Sequence, residues 1–401
     1  MEAAGIICEY NPLHLGHCRH MEETRALLGG ETPIVCAMSG NFVQRGDFAV
    51  LNKLSRAEAA VKSGADLVLE LPLPYALSSA EGFALGGIKV LSATGMVTHL
   101  SFGSESGNLE ELERAARCLL SEEFPPVLKE ELSKGAAFGA ARQRAAERLM
   151  GKGAEVLRSP NNILAVEYLK ALYRVGASIR PMTICREGAD HDAGEPENGL
   201  FSASGLRELL LRGDEEAAAR YMPEAMRDIL RRETEAGRAP ARVSNCERAI
   251  LARLRTLTAE DFLSIPDVGE GLERRLFRAA LRETSFARTA DAVKTKRYAH
   301  SRIRRILLCA YLGITKDDFP EVPPYLRVLA FNERGRGLLR EMKKRSKVPI
   351  VTRPARIKTL PEEGRTLFQL ERRATDLYVL AYPDLQNSWG GQEWSAGAVR
   401  I

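Results

Sequence analysis

Between residues 3 and 105, short apolar runs alternate with stretches of helical period, each joined to the next by only a few residues; nothing else in the chain narrows the fold as much. Ala3 to Cys8 is apolar enough for a strand buried on both faces, and Pro12 bars its continuation. The amphipathic stretch that follows runs to Leu28 and closes at Gly29-Gly30, as a helix C-terminus does. Pro33 to Met38 predicts a second strand. Ser55 and Glu58 then predict a capping box for a helix ending at Ser63. Asp66 to Leu71, a helix from Ser79 to Leu91 and Val97 to Phe102 continue the alternation. Such alternation predicts an α/β fold with a parallel sheet covered on both faces, whose ligands bind at the carboxyl ends of the strands.

The remainder divides by pattern. Residues 106–157 predict a helical insertion. Ser159-Pro160 should open a helix through Tyr173 with the serine as cap, and Ser178 to Cys185 gives the last clear strand. Ser202 or Ser204 should cap a helix to Leu211. Residues 1–213 are thus the expected α/β domain and 214–316 an all-helical one. Three prolines between Asp317 and Pro324 mark a linker into a small α/β unit over 317–401, where Trp389 and Trp394 should anchor packing. A chain of 401 residues is too long for one ordinary core, and 45% apolar with 28% charged residues excludes extended disorder. No apolar run approaches the ~18 residues of a bilayer crossing, and Met1-Glu2 does not open a signal peptide, so a cytoplasmic protein without membrane contact is expected. Seven scattered cysteines without a CxxC pair fit reduced thiols.

Three of the six histidines, His14, His17 and His20, fall just after the first strand. In His14-Leu15-Gly16-His17 one imidazole sits in a loop and the other in the first turn of a helix, and Gly16 lets a ligand approach the backbone. Free N–H groups and the helix dipole attract a phosphate there. Two histidine donors can stabilise charge developing on an α-phosphate as pyrophosphate leaves. A metal site is the rival account of the histidine spacing; side chains that start in a loop and enter a helix share no face, so no metal ligand is assigned. Ser202, Ser204 and Arg207 form a second phosphate motif at the same predicted sheet edge. Gln44 and Arg45 either close over the site or solvate a surface loop.

The HxGH and Ser-x-Ser-x-x-Arg pair resembles the nucleotidyltransferases that share a fold with class I aminoacyl-tRNA synthetases, with Gly205 where the second motif commonly has threonine. Longer strings are similar to the bacterial tRNA(Met) cytidine acetate ligase family: Glu9-Tyr10-Asn11-Pro12, Ser39 to Gly46, Gly64 to Val68 with Glu70-Leu71-Pro72, Phe102 to Glu105, Ser159 to Asn162, and Thr295-Lys296-Arg297. That resemblance implies a Rossmann-like catalytic domain that consumes ATP to form acetyl-adenylate and acetylates the exocyclic amine of the wobble cytidine in elongator methionine tRNA. It places the ATP site on Ile7, Cys8, Glu9, Tyr10, Asn11, Pro12, Leu13, His14, Leu15, Gly16, His17, Cys18, Arg19 and His20, on Gly103, on Asn161 with Asn162 beside it, and on Arg186 with Glu187. His14, His17 and Arg207 are the expected catalytic residues. Mg²⁺ is compatible with ATP chemistry, and no obligate protein partner is expected.

Between Asp291 and Arg305, Lys294, Lys296, Arg297, Arg302, Arg304 and Arg305 stand against one acidic residue, a local balance equal to the whole chain's +5. Ile303, Ile306, Leu307 and Ala310 give the stretch an apolar face, so the cations should project toward a tRNA backbone. Tyr298 and His300 are placed to stack on an unpaired base. Two rivals stand beside the ligase: a small-molecule adenylyltransferase active without RNA, and a non-catalytic RNA-binding protein.

Overall fold

Strands that are apolar at every position need cover on both sides, and the middle of this sheet has it. The computed structural model describes residues 2–186, 201–269, 271–295 and 298–401. β1 (Ala3–Cys8) lies between β2 (Ile34–Ser39) and, on its other side, β6 (Val97–Ser104), after a hairpin of β3 (Phe42–Val43) with β4 (Asp47–Phe48) and a further strand β5 (Leu67–Leu71). β7 (Arg180–Cys185) extends the sheet beyond β6, and β8 (Leu326–Phe331), β9 (Ile350–Val351) and β10 (Val399–Arg400) extend it beyond β5.

The order among described residues is β10-β8-β5-β2-β1-β6-β7, parallel except where β8 runs against β5. Alternate side chains divide the core. Ile7, Val35, Ala37 and Leu69 pack with Ile88, Leu91, Val166 and Leu169 of the Ala80–Ala93 and Pro160–Val175 helices. Ile6, Cys36, Met38 and Val68 face the other way, onto Met21, Ala57, Ala60 and Leu206. Chain order reverses at β1, which leads to β2 on one side and later receives β6 on the other. A ligand crevice forms where strands diverge in this way.

Several expectations change at the level of caps and edges. The Lys53–Lys62 helix is capped by Asn52, whose Oδ1 accepts from the Leu54 and Ser55 amides at 3.0 Å each, while Ser55 is buried inside the helix and Glu58 pairs with Arg232. Asn52 is the first residue able to leave helical geometry, so it takes the role expected of Ser55. Residues 317–401 do contain strands and helices, but β8 and β10 join the main sheet instead of closing a sheet of their own. The free edge of β5 offers them a ladder of unpaired backbone groups. Trp394 packs on Phe368 as expected, whereas Trp389 is 59% exposed, contrary to the packing role expected of it.

Beyond residue 213, the Glu215–Ala219 and Glu224–Glu235 helices put Ala218, Met226 and Leu230 into the sheet's second core layer. The helical core proper runs from Ala241 to Ile314 and takes in Phe42 and Phe48 of the hairpin and Tyr378 of the Glu362–Tyr378 helix. Among the described residues no helix is long and apolar enough to cross a membrane, and the cysteines are free thiols.

Candidate active site at the switch point of the sheet

The crevice between the carboxyl ends of β1 and β6 is a cavity of about 400 Å³. Its floor begins with Tyr10, a buried residue at φ +46°, which turns the chain out of β1 into the HxGH loop. The two histidines of that loop cap the Leu15–Leu28 helix reciprocally. His14 Nδ1 accepts from the Gly16 amide at 3.1 Å, and His17 Nδ1 accepts from the His14 amide at 3.2 Å. Their rings stack with centroids 3.7 Å apart, and Tyr10 meets His17 edge-on at 4.9 Å. An imidazole whose Nδ1 accepts must carry its proton on Nε2. Capping and chemistry are therefore one arrangement: both rings present Nε2–H donors.

Burial holds His17 neutral, with the charges of His14, Arg186 and His20 acting in the same sense, and its pKa lies well below that of a free imidazole. His20 is pushed down to about 4, chiefly by burial and then by Arg186, and hydrogen-bonds Ser101 Oγ at 2.9 Å. Neutral donors of this kind stabilise a phosphate without needing to ionise.

The second motif reaches the same cavity. Ser202 caps the Ala203–Arg212 helix through the Gly205 amide at 3.2 Å. Arg207 Nη1 donates to Asn11 O at 2.9 Å and Nη2 to Ser204 Oγ at 3.1 Å, tying this helix to the HxGH loop. Arg186 completes the wall above Gly103; a Cβ there would stand 2.9 Å from the Arg186 side chain. Asn161 lines the cavity and Asn162 does not. A carboxylate decides between them: Glu105 Oε1 accepts from the Asn161 amide at 3.0 Å and from its Nδ2 at 2.8 Å, and Oε2 accepts from the Asn162 amide at 2.7 Å. Asn162 Oδ1 is spent on the Ser106 amide at 3.1 Å. Ser159, the expected cap of that helix, makes no capping bond, because Glu105 holds the amides it would have served.

Of the other residues expected at the nucleotide, Ile7, Cys8, Glu9, Asn11, Gly16 and Arg19 line the cavity. Pro12 and Leu13 are buried beneath it, Leu15 points to solvent at 38% exposure, and Cys18 packs against the second core layer; these four support the loop from outside. Glu187 lies outside the described residues. Among the described residues, four arginines (Arg19, Arg45, Arg186 and Arg207) against two glutamates (Glu9 and Glu23) suit the cavity to a polyanion. Asn11 Nδ2, buried and without a hydrogen bond among the described residues, is a further donor for a ligand. No group of three or more His, Cys, Asp or Glu side chains among the described residues is placed to hold a metal. A cation brought with ATP would draw its ligands chiefly from phosphates and water.

Sequence reasoning missed two parts. Phe83, Phe102, Leu164 and Tyr168 form an apolar wall suited to a base, and apolar residues in helices and a strand carry no local signal of that role. Arg56, fully buried in an alanine-rich helix, donates to Leu51 O at 3.0 Å, to Ser39 O at 3.1 Å and to the carbonyls of Glu9 and Gly40, fixing the ends of β1 and β2 together. Its sequence neighbours carry no signal of that role.

Gln44 and Arg45 do reach the cavity, at the tip of the β3–β4 hairpin. The His300–Leu312 helix clamps this hairpin from outside, and there the expected basic face is corrected. Arg304 Nε donates to Gly46 O at 3.0 Å and pairs with Asp47 at 2.9 Å, its guanidinium 4.9 Å from the Phe286 ring. Arg305 is only 7% exposed and donates to Gln44 O at 3.4 Å. Arg302 donates to Asp267 O at 2.7 Å and covers Tyr298 at 5.0 Å. Arg304 and Arg305 seal a seam instead of projecting freely, because the hairpin's carbonyls and Asp47 supply partners that the sequence could not place beside them, while Arg302 is held by the Asp267 carbonyl. His300 likewise bonds Asp291 at 3.1 Å. Lys294 is exposed, and Lys296 and Arg297 lie outside the described residues.

Comparison with known proteins agrees with this geometry. The sequence profile of the HIGH nucleotidyl transferase family matches residues 1–393. The tRNA(Met) cytidine acetate ligase of Caldanaerobacter subterraneus subsp. tengcongensis is 41% identical, over 95% of this chain and 96% of its own, and that of Acetivibrio thermocellus is 36% identical over all of both. The crystal structure of Thermotoga maritima TmcAL bound with alpha-thio ATP superposes with a TM-score of 0.92 at 35% identity, covering 100% of this chain and 99% of that one. Its apo form gives 0.94 at the same identity, with both chains fully covered. With its motifs folded into one crevice and this likeness along its whole length, the chain belongs to the HIGH nucleotidyl transferases and, within them, to the tRNA(Met) cytidine acetate ligase family.

Proposed function

We propose that this protein activates acetate with ATP and transfers the acetyl group to the exocyclic amine of the wobble cytidine in elongator methionine tRNA. The observation that carries it is the fixed pair of Nε2–H donors on His14 and His17, beside Arg186 and Arg207, at the mouth of a crevice whose inner wall suits a base. An acetate ion is already deprotonated at neutral pH, so its attack on the α-phosphate needs orientation and charge neutralisation more than a base. Pyrophosphate leaves, its charge met by the arginines. The acetyl-adenylate is then sheltered from water by the hairpin carrying Gln44 and Arg45 until the amine arrives.

The Caldanaerobacter and Acetivibrio relatives are named tRNA(Met) cytidine acetate ligases, and the Thermotoga TmcAL is bound with alpha-thio ATP, which supports this reading. The test is incubation of the pure protein with labelled acetate, ATP and tRNA(Met), omitting each in turn. Label should reach RNA only when all three are present, with release of pyrophosphate. Pyrophosphate release with unlabelled RNA would instead mark a metabolite adenylyltransferase, and RNA binding without nucleotide turnover a binding protein.

A further inference from the structure

Acyl transfer to an amine leaves one proton to be removed, and few of the described groups lining the crevice can take it. His14 and His17 are committed by their backbone donors to the Nε2–H form and have no free lone pair. His20 Nε2 is held by Ser101 and is a weak base with its pKa near 4. Burial pushes the Tyr10 and Tyr168 phenols and the Cys8 thiol up, so each keeps its own proton. Glu23 is tied to Arg19 at 2.6 Å on the outer rim.

Glu9 remains. It follows β1 directly and lines the cavity beside the HxGH loop. Its Oε1 accepts from the Gln44 amide at 2.7 Å and from Ser39 Oγ at 3.5 Å, while Oε2 makes no hydrogen bond among the described residues. We propose that Glu9 is the general base of the acyl-transfer step. Oε2 takes one proton from the attacking amine as the nitrogen–carbon bond forms and the acetyl carbon–oxygen bond breaks, AMP leaving with that oxygen as a phosphate anion. The glutamic acid returns the proton to solvent when product departs. Burial favours this role by raising the carboxyl's affinity for protons, opposed in part by the Gln44 amide and by Arg207, Arg56 and Arg45; Tyr168, which lines the same cavity, is uncharged.

This inference rests on the acetyl transfer proposed above, and measuring the two half-reactions separately distinguishes failure of one from failure of the other. Acetate-dependent ATP–pyrophosphate exchange reports adenylate formation, and single-turnover transfer from preformed acetyl-adenylate reports the second step. Glu9→Gln should slow transfer about 10²- to 10³-fold, the usual worth of a general base, and slow exchange less than tenfold. Wild-type transfer should rise with pH to a plateau as the carboxyl ionises, and Glu9→Gln should lack that rise, with Glu9→Asp restoring part of it. Equal losses in both half-reactions would overturn the proposal, assigning Glu9 to nucleotide binding or to loop structure. So would wild-type transfer that does not vary with pH, a measurement that needs no variant. A wild-type enzyme inactive in both halves would refute the acetyl-transfer function itself.

Discussion

At the scale of single residues, the site's histidines depend on staying uncharged, and that has a cost as pH falls. His20, with its pKa near 4, binds a proton later than it would in the unfolded chain, where the value is about 6.5. Between those values the unfolded state holds the extra proton. Stability should therefore be level above pH 6.5, fall as pH is lowered through the window, and level again below about 4. Going from pH 7 to 5 should cost about 1–2 kcal/mol through this residue alone. Urea unfolding at the two pH values should show wild type losing more than His20→Gln, which can still hydrogen-bond Ser101; equal losses would mean the imidazole is already solvated in the native state. The HxGH string was legible because its residue types and position after an apolar strand are local facts. Which nitrogen carries the proton was not, since that follows from backbone amides placed only by the folded cap.

At the scale of elements, the periodicity foretold the main helices and strands of the first 105 residues, but not the β3–β4 hairpin, the short Leu73–Ala76 helix or what fastens the ends of the elements. The Pro160–Val175 helix is the clearest instance. Serine before proline is the usual opening of a helix, yet Glu105, more than fifty residues earlier, holds the first amides and aligns Asn161 toward the cavity. A contact of that sequence separation leaves no local pattern. Glu105→Ala should cost about 1–2 kcal/mol, as loss of a helix cap does, whereas Ser159→Ala should stay within about 0.5 kcal/mol. If Asn161 contacts the nucleotide, Glu105→Ala should also raise the KM for ATP more than it lowers kcat. Thermal unfolding and steady-state kinetics on both variants check the pair, and a larger loss from Ser159→Ala would reverse the assignment. The hairpin is similar in kind. Gly46, at φ +74°, has its α-carbon so close to the His300–Leu312 helix that a Cβ would stand 2.6 Å from the Arg305 amide nitrogen. Charge counting along that helix could not tell a seam from a free surface.

At the scale of the whole molecule, the last eighty residues are bound into the catalytic sheet twice: by the β8 and β10 ladders and by a buried ion cluster. Lys53 Nζ lies 2.7 Å from Glu70 and 2.8 Å from Glu393, and Arg327 stands 3.6 Å from Glu393 on its other oxygen. Glu371 adds a third carboxyl, receiving the Tyr325 hydroxyl at 2.7 Å. Two cations can balance two anions in such a place, not three, and burial together with Glu70's charge pushes Glu371 up to about 8. An unfolded glutamate has a pKa near 4.3, so between there and about 8 the native state holds the proton that the unfolded state has lost. Stability should consequently decline as pH rises through that window and level off above it, by on the order of 5 kcal/mol. Glu371→Gln keeps an acceptor for Tyr325 and has nothing to ionise. Its urea midpoint should gain on wild type from pH 5 to 8 and hold a constant lead at pH 9. A lead that did not change with pH would mean that Glu371 is charged in the native protein and that some other group supplies the missing positive charge.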